Sequence, residues 1–439
     1  MTHRGIGKQL CSSERTVDGH LEHLREKLAV NTRAQIATWV VRQETAVPGT
    51  IAQTAAPTQP APPPPRRLMA KPQIWVATAL LLAVLAAGVG LLRLTAQPEP
   101  TIRTIAGGIP LDSIKGGGYS GDGYLAISAQ LSRPSDVVVA ANGIVYIADY
   151  GNNVVRRVAA DGTISSYTGD SSQPLATDGE IASSVSFGNP GSLALDPGGN
   201  LYILTDLAGM LEVWKVRLDR VINRVVSIGP TTSTELYKTP AGGLVVAGDG
   251  TLYIADRLGN RVWKFANGAK TPYAGTGGEG KFSGEGGAAV DASLYWPTGL
   301  ALDQQGNLYI ADTLNDRIRE VDKRGAIITV AGGGKPGNSG DGGPAGQARL
   351  SIPFDVAVAA DGTLVIADTG NHRLREITPW HEMLALAGTG RSGFAGDNLP
   401  ATAASLREPE GVAFDSHGNL FVADTGNHRV REISNVVAA

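Results

Sequence analysis

Acidic residues, asparagines and histidines recur at fixed spacing along the C-terminal three quarters of the chain. An Asp closes several apolar runs, with Asn three residues later and Arg five residues later, as in Asp368, Asn371 and Arg373. His372 and His428 stand at equivalent positions, where the other copies have Asn or Asp. A catalytic zinc usually has three protein ligands, and no third His aligns with these two. We therefore predict that the set satisfies backbone groups in tight turns and binds no metal.

A second recurring element places one acid between two glycines. It occurs at Gly121-Asp122-Gly123, Gly284-Glu285-Gly286 and Gly340-Asp341-Gly342, and Asp397 stands in phase with it. A calcium site needs about six to eight oxygen ligands, far more than one acid in each loop supplies. We expect turns that demand glycine here, and the sequence predicts no cofactor.

The elements that position these residues form a repeat. A proline opens each unit at Pro134, Pro190, Pro240, Pro297, Pro353 and Pro409, with spacings of 56, 50, 57, 56 and 56 residues. Each unit contains an apolar strand, a Gly-containing turn, a second strand such as Leu308 to Asp312, a third with alternating Arg and a fourth such as Ile327 to Gly332. Four short strands repeated six times predict an all-β, six-bladed β-propeller over residues 101–439.

The ends of the repeat indicate how the ring closes. The last unit stops near Ser434, after its third strand, while residues 101–107 read as a fourth strand without a blade of its own. We expect this strand to complete the last blade and remove an open edge. Functional residues are expected where the repeat breaks, at Thr205 in place of the strand-ending Asp, along residues 207–211, and at Trp263 in place of an Arg.

The units resemble NHL repeats over nearly all of residues 101–439. The strings Asp-Thr-Gly-Asn-His-Arg and Gly-Asn-Leu-Tyr-Ile-Ala-Asp carry this resemblance. Some lyases that resemble NHL proteins hold zinc through propeller histidines, so a propeller enzyme is the third and least favoured function. The resemblance implies a propeller that binds a ligand or a protein partner.

A separate helical pattern occupies the N-terminus. Ser13 can cap a helix whose apolar stripe is Val17, Leu21, Leu24 and Leu28. A shorter apolar pair precedes it and a third helix can follow from Thr32. A short helix, a tight break and a longer helix predict a small all-α helix-turn-helix within residues 1–43.

Residues 1–43 resemble the LuxR-type helix-turn-helix family, in a form that lacks the family's first helix. The string Ser-x-x-Thr-Val-x-x-His and the later Lys-Leu-x-Val fall in register with that family. The resemblance implies DNA as a partner. It assigns four residues to the side that faces the major groove: Thr16, Asp18, Gly19 and Glu22. It assigns three others to contacts with phosphates or the groove edge: Ser13, Arg15 and Lys27.

A linker and an apolar segment separate the two ends. Residues 44–73 contain eight prolines and few large apolar side chains, which predicts an extended linker. Residues 74–92 carry no charge, so residues 74–93 are predicted to form one transmembrane helix. Basic residues concentrate on its N-terminal side, which places residues 1–73 in the cytoplasm and the propeller outside. Ala79, Ala83 and Ala87 have the spacing of a helix pair, so a homodimer is possible.

Charge and composition agree with this multidomain arrangement. The chain has 439 residues, a single cysteine, Cys11, and a formal charge of −3, which excludes a disulfide-stapled fold. Residues 1–43 carry a balance of +3 and residues 101–439 one of −8. The sequence therefore predicts a bacterial plasma-membrane, one-component transcriptional regulator with no enzymatic activity. The alternative is an extracellular NHL-propeller interaction or scaffold protein with a non-functional helix-turn-helix remnant.

Overall fold

A computed structural model describes residues 99–108, 117–170, 172–207, 210–229 and 242–437. The helix-turn-helix predicted for residues 1–43, with its DNA-binding residues Ser13 to Lys27, lies outside the described residues, as do the linker and the span 74–93. In the part of the chain that is described, no helix is long and apolar enough to cross a membrane.

The described residues form six antiparallel sheets, which are the blades of a propeller. Period-two alternation of apolar residues and Gly, Asp and Asn turns produce these strands. Blade 1 contains β2 (Asp136–Val139), β3 (Val145–Asp149), β4 (Val154–Val158) and β5 (Ile164–Ser166). Blade 2 contains β6 (Asn189–Leu195), β7 (Leu201–Leu207), β8 (Met210–Val216) and β9 (Ile222–Ile228). Blade 3 contains β10 (Leu244–Val246), β11 (Leu252–Asp256), β12 (Arg261–Ala266) and β13 (Ala269–Ala274).

In the remaining blades the first long strand is again the innermost. Blade 4 contains β14 (Pro297–Leu302), β15 (Leu308–Asp312), β16 (Arg317–Val321) and β17 (Ile327–Ala331). Blade 5 contains β18 (Gly343–Pro344), β19 (Pro353–Val358), β20 (Leu364–Asp368), β21 (Arg373–Ile377) and β22 (Glu382–Ala387). Blade 6 contains β23 (Leu399–Pro400), β24 (Pro409–Phe414), β25 (Leu420–Asp424), β26 (Arg429–Ser434) and β1 (Thr101–Ala106). The short strands β18 and β23 lie at the outer edges of blades 5 and 6.

Short 3-10 turns join the strands at two kinds of position. Those between the second and third strands are Tyr150–Asn152, Thr313–Asn315, Thr369–Asn371 and Thr425–Asn427. Those in the connectors between blades are Ala126–Ser128, Ala182–Ser184, Ala289–Asp291, Ala345–Gln347 and Ala401–Ala403. We call the end of the ring that carries the first kind the upper face. The opposite end, with the turns between first and second strands, is the lower face.

Blade 6 is closed by the N-terminal strand, as the sequence predicts. β1 pairs antiparallel with β26, with Thr101 opposite Ser434 and Ile102 opposite Ile433. The side chain of Arg103 adds a hydrogen bond of 2.6 Å to Glu432. The chain therefore enters the propeller at the lower face, and no blade is left one strand short among the described residues.

The core consists of six apolar clusters, and each one lies between two neighbouring blades. Tyr146 of blade 1 packs with Leu193 of blade 2, for example. Phe421 of blade 6 packs with Val137 of blade 1 and so continues the core across the closure. The innermost strands of neighbouring blades are in contact all round, including β24 with β2. A central channel is left on the axis of the ring.

Candidate functional site

A buried ion pair holds together the upper part of each regular blade. The strand-ending acids Asp312 and Asp424 are fully buried, and so are Arg319 and Arg431. The Arg to Asp distances are 3.5 Å in blade 4 and 3.8 Å in blade 6. A buried carboxylate without such a partner would be costly, so the pair belongs to the framework. This confirms the structural assignment of the Asp.

The partners of these acids include one residue outside the recurring set that the sequence analysis described. Asn371 donates its side-chain amide to Asp368 at 2.8 Å, as expected, and the backbone N–H of Ser351 donates to the same carboxylate at 2.8 Å. The buried Arg, however, is Arg375, seven residues after the Asp, and not Arg373, five residues after it. Arg373 lies directly opposite Asp368 at the strand end, whereas Arg375 is two residues further into the sheet, beneath the connector loop.

The acids between two glycines contact the same buried Arg residues. Asp341 lies 2.6 Å from Arg375, Asp397 lies 2.7 Å from Arg431, and Asp122 hydrogen-bonds Arg156. The flanking glycines have positive φ, with 108° at Gly340, as the sequence predicts. An aromatic ring covers several of these guanidinium groups at 4.7 to 5.1 Å, for example Phe282 over Arg319, Tyr119 over Arg156 and Phe394 over Arg431.

The two equivalent histidines join neighbouring blades. His372 and His428 have φ of 53° and 56°. The ring Nδ1 of His428 accepts a 2.9 Å hydrogen bond from the backbone N–H of Arg133 in blade 1, and His372 accepts one of 3.2 Å from Glu408 in blade 6. Burial and the neighbouring arginines lower the pKa of His428, which favours the neutral acceptor form. The described residues contain no group of three or more potential metal ligands.

Blades 2 and 3 depart from this framework where the repeat breaks. Thr205 is fully buried and lies opposite Pro190. In blades 4 to 6 the residue opposite the corresponding proline is the strand-ending Asp. β7 and β8 continue past it to Leu207 and Met210, so this hairpin extends beyond the position of the other turns. In blade 3, Trp263 replaces the buried Arg, and its indole N–H donates to Asp256 at 3.1 Å.

The departures meet at the upper mouth of the central channel. In blades 4 to 6 the residue after the strand-ending acid is Thr. Two of these Thr hydroxyls donate hydrogen bonds to backbone carbonyls of the next blade: Thr369 to Pro409 at 2.5 Å, and Thr425 to Pro134 at 2.7 Å. Blades 1 to 3 have Tyr150, Asp206 and Arg257 at this position. One half of the mouth is thus closed by uniform threonines, while the other half carries three different polar side chains.

Arg257 is the central group of this mouth. It is only 3% exposed, lies 3.9 Å from the carboxylate of Asp206, and stacks over the ring of Trp296 at 5.4 Å. Burial lowers the pKa of Arg257, and the charges of Asp206, Tyr150 and Glu410 oppose that shift. These groups come from blades 1, 2, 4 and 6, so residues of four other blades act on the Arg257 side chain.

Glu410 is the buried acid of the mouth. It is 7% exposed, and its Oε2 has no hydrogen-bond partner among the described residues. Burial raises the pKa of Glu410 to about 8, although the charges of Arg133 and Arg257 act in the opposite direction. The carboxyl group is therefore mostly protonated at neutral pH and can donate or accept a hydrogen bond.

Two further acids lie below the mouth, on the channel wall. Asp136 accepts a 2.7 Å bond from the N–H of Leu193, and Asp355 accepts one of 2.9 Å from Val412. Burial, followed by the charge of Asp136, raises the pKa of Asp355 well above its usual value. A Cβ at Gly411 would lie 2.6 Å from a carboxylate oxygen of Asp136, so glycine makes room for that acid.

The channel below the mouth has a volume of about 240 Å³. The innermost strands of all six blades line it. Their free edges present backbone polar groups that need partners, which makes the channel suited to water or a small polar ligand. The mouth, with acids, arginines and two aromatic rings, can recognise groups of either charge.

The sequence predicted that function lies where the repeat breaks, but it missed the residues that form the mouth. Arg257, Glu410, Asp136 and Asp355 were not singled out. Aligning the units on the strand-ending acid would have revealed the change from Thr to Tyr150, Asp206 and Arg257. Glu410 and the two channel acids leave no such signal, because their neighbours come from other blades.

Comparisons with known proteins agree with the fold. Residues 107–226 and 275–338 match the family model described as the teneurin NHL domain, and residues 350–377 and 406–433 match the NHL repeat. Teneurin-m of Drosophila melanogaster is 28% identical over 56% of this chain and 9% of its own length. Protein SUPPRESSOR OF QUENCHING 1, chloroplastic, of Arabidopsis thaliana is 31% identical over 42% of this chain and 18% of its own length. The chain thus spans less than a fifth of these relatives.

Solved structures with low sequence identity share the architecture. An auxiliary nutrient binding protein from Bacteroides thetaiotaomicron superposes with a TM-score of 0.55 at 15% identity, covering 76% of each chain. A counterpart from Bacteroides ovatus gives a TM-score of 0.56 at 15% identity, over 77% of each chain. With the two family matches and the six sheets, the described residues between 101 and 437 form a six-bladed β-propeller that contains NHL repeats.

Proposed function

We propose that this chain is an NHL-propeller interaction protein that binds a ligand or a protein partner at the upper mouth of the channel. The observation that carries this proposal is the asymmetry of the mouth. Threonines bonded within the ring occupy the repeat position in blades 4 to 6, whereas Tyr150, Asp206 and Arg257 occupy it in blades 1 to 3. A framework position needs the same side chain in every blade, so a change confined to one half points to a binding role.

The composition of the mouth supports an interaction surface. Tyr, Trp and Arg dominate the energetics of protein interfaces, and Tyr150, Trp296 and Arg257 meet here. Leu207 and Met210 of the extended hairpin are 39% and 38% exposed on the same face. β1 begins at the lower face, where Thr101 pairs with Ser434, so Thr101 lies at the opposite end of the ring from the upper mouth. The proposed role is binding, and we expect a bound ligand to be recovered unchanged.

The test compares two tryptophans on opposite faces. Trp296 lies at the upper mouth, whereas Trp380 is 78% exposed in a turn of the lower face. With the full chain as bait in cells of its source organism, we expect crosslinked partners or co-purified ligands to be lost in Trp296→Ala and kept in Trp380→Ala. Equal retention by both variants would contradict a site at the mouth.

The membrane span and the DNA-binding segment predicted from the sequence are two further proposals. We propose that residues 74–93 anchor the propeller outside the plasma membrane, because residues 74–92 are uncharged and basic residues concentrate on their N-terminal side. Protease added to intact cells should then digest the propeller while a tag at residue 1 is protected. DNA binding by residues 1–43 is the corresponding test of the regulator, and loss of affinity with salt is its expected signature. If residues 1–43 do not bind DNA, the regulator is rejected and the interaction protein is the remaining proposal.

A further inference from the structure

A second cavity lies on the lower face, between blades 3 and 4. It has a volume of about 510 Å³, within the range of roughly 300 to 1,000 Å³ typical of small-molecule sites. The turn after β10 and the turn after β14 form its sides, and Tyr253 and Lys264 of the blade 3 sheet also line it. This cavity is at the opposite end of the ring from the mouth and shares none of the mouth residues.

The repeat shows what is unusual about this cavity. In blade 2, Lys215 lies opposite Tyr202, and its Nζ is 3.1 Å from the carboxylate of Asp196 in the adjoining turn. In blade 3, Lys264 lies opposite Tyr253 in the same register. The residue equivalent to Asp196, however, is Ala247. The backbone of the two turns matches, since the N–H of Gly199 donates to Asp196 and that of Gly250 donates to Ala247, both at 2.9 Å.

Lys264 is consequently a half-buried cation without an ion-pair partner among the described residues. Its Nζ lies 6.0 Å from the centre of the Tyr253 ring. Two acids line the cavity, and both are engaged in their own turns. Asp303 accepts from the N–H groups of Gln305 and Asn307 at 2.9 and 2.8 Å, and Asp249 accepts from that of Thr251 at 2.9 Å. Hydrogen bonds from Thr251 lower the pKa of Asp249 most, and the charge of Lys264 contributes least to that shift. A cation that is half removed from water gains from a bound anion.

We propose that this cavity binds a small hydroxylated monocarboxylate of about the size of a hexuronic acid, with its carboxylate on Lys264. The exposed side-chain amides of Gln304 and Gln305 offer donors and acceptors for the hydroxyl groups. One lysine beside the carboxylates of Asp249 and Asp303 favours a single negative charge over the double charge of a phosphate. The site is independent of the proposed function at the upper mouth.

The experiment is isothermal titration calorimetry of the full chain with D-galacturonate as the probe. We expect Lys264→Met to weaken binding at least about tenfold, as the loss of a charged hydrogen bond does. Ala247→Asp should weaken binding by a similar factor, because it recreates the acid that neutralises Lys215 in blade 2. Lys215→Met is the matched control and should bind within about twofold of the unmodified chain.

Each other outcome decides against the proposal. Absence of binding to the unmodified chain would overturn it, and so would binding by Lys264→Met or Ala247→Asp that is as tight as binding by the unmodified chain. If D-galactose bound as tightly as D-galacturonate, the carboxylate would not contribute to binding. If inorganic phosphate bound more tightly, the ligand would be a phosphate and not a monocarboxylate. Circular dichroism checks folding. If Lys264→Met is unfolded, Ala247→Asp decides, because blades 2, 4 and 6 already form this turn with Asp.

Discussion

Arg375 and Asp368 form a fully buried ion pair, with Nη1 3.7 Å from Oδ2. The other guanidinium nitrogen reaches Asp341 in the connector between blades, 2.6 Å away, and Nη1 also donates to the carbonyl of Arg349 at 2.9 Å. One side chain therefore ties the second strand, the third strand and the incoming connector of blade 5 together. Equivalent arginines do the same in blades 1, 4 and 6.

We predict that Arg375→Met lowers the free energy of unfolding by about 3 to 5 kcal/mol, because it leaves Asp368 buried without its counter-charge. Arg391→Met, at an exposed position in the next connector, should change it by less than about 0.5 kcal/mol. Urea unfolding of both variants measures the difference. Equal stability of the two would show that the buried pair contributes nothing.

In blade 3 a tryptophan takes over part of this role. We predict that Trp263→Phe costs about 1 to 3 kcal/mol, since the buried Asp256 loses the indole N–H that it accepts at 3.1 Å. Trp380→Phe is the control for the same chemical change at an exposed position and should be nearly neutral. Thermal unfolding measured at the same protein concentration distinguishes the two. A neutral Trp263→Phe would contradict the hydrogen bond.

The closing strand should contribute strongly to stability. Ile102 of β1 is fully buried in the core between blades 5 and 6. We predict that Ile102→Ala costs about 2 to 5 kcal/mol, whereas Ile328→Ala, on the outermost strand of blade 4 and 44% exposed, costs less than about 1 kcal/mol. Guanidinium unfolding measures both. Should Ile102→Ala behave like Ile328→Ala, β1 would be dispensable for closure.

Glu410 makes stability depend on pH in a defined direction. Burial raises its pKa to about 8, against about 4.3 in an unfolded chain. The folded state therefore holds the proton more tightly, and raising the pH from about 5 to 8 lowers stability by up to about 1.4 kcal/mol per pH unit. Above about pH 8 the effect levels off.

The pH effect is read as a difference between variants. Glu410→Gln removes the titrating group, so its stability relative to the unmodified chain should rise steadily from about pH 5 to 8. Glu382→Gln, at an exposed position on the lower face, is the control and should show a much flatter difference over the same range. A flat difference for Glu410→Gln, measured by urea unfolding at each pH, would place the carboxyl group in water.

The sequence predicted the blade count, the strand ends and the closing strand because these features follow from local signals. Alternating apolar residues and Gly or Asn turns recur about every 56 residues, and each copy reports the same structure. The choice of Arg375 over Arg373 could not be predicted in this way. Both side chains are spaced for the same face of β21, and only the connector that carries Asp341 buries the second of them.

The mouth could not be predicted because its residues are brought together by ring closure. Arg257 and Glu410 are 153 positions apart in the sequence, on opposite blades. Their mutual influence depends on the radius of the ring, which no local pattern encodes. The cavity beside Lys264 is an intermediate case, since comparing Ala247 with Asp196 in aligned repeats indicates the missing acid, although not the space.

The pairing of β1 with β26 also orders events during synthesis. Residues 101–106 leave the ribosome more than 300 positions before residues 429–434, with which they pair. Until residues 429–434 have been synthesised, this strand lacks its partner and both flanks of the nascent arc are uncovered. Such exposed strand flanks invite wrong pairing with other chains. A polypeptide released before residue 429 would therefore be expected to need a chaperone or to be degraded.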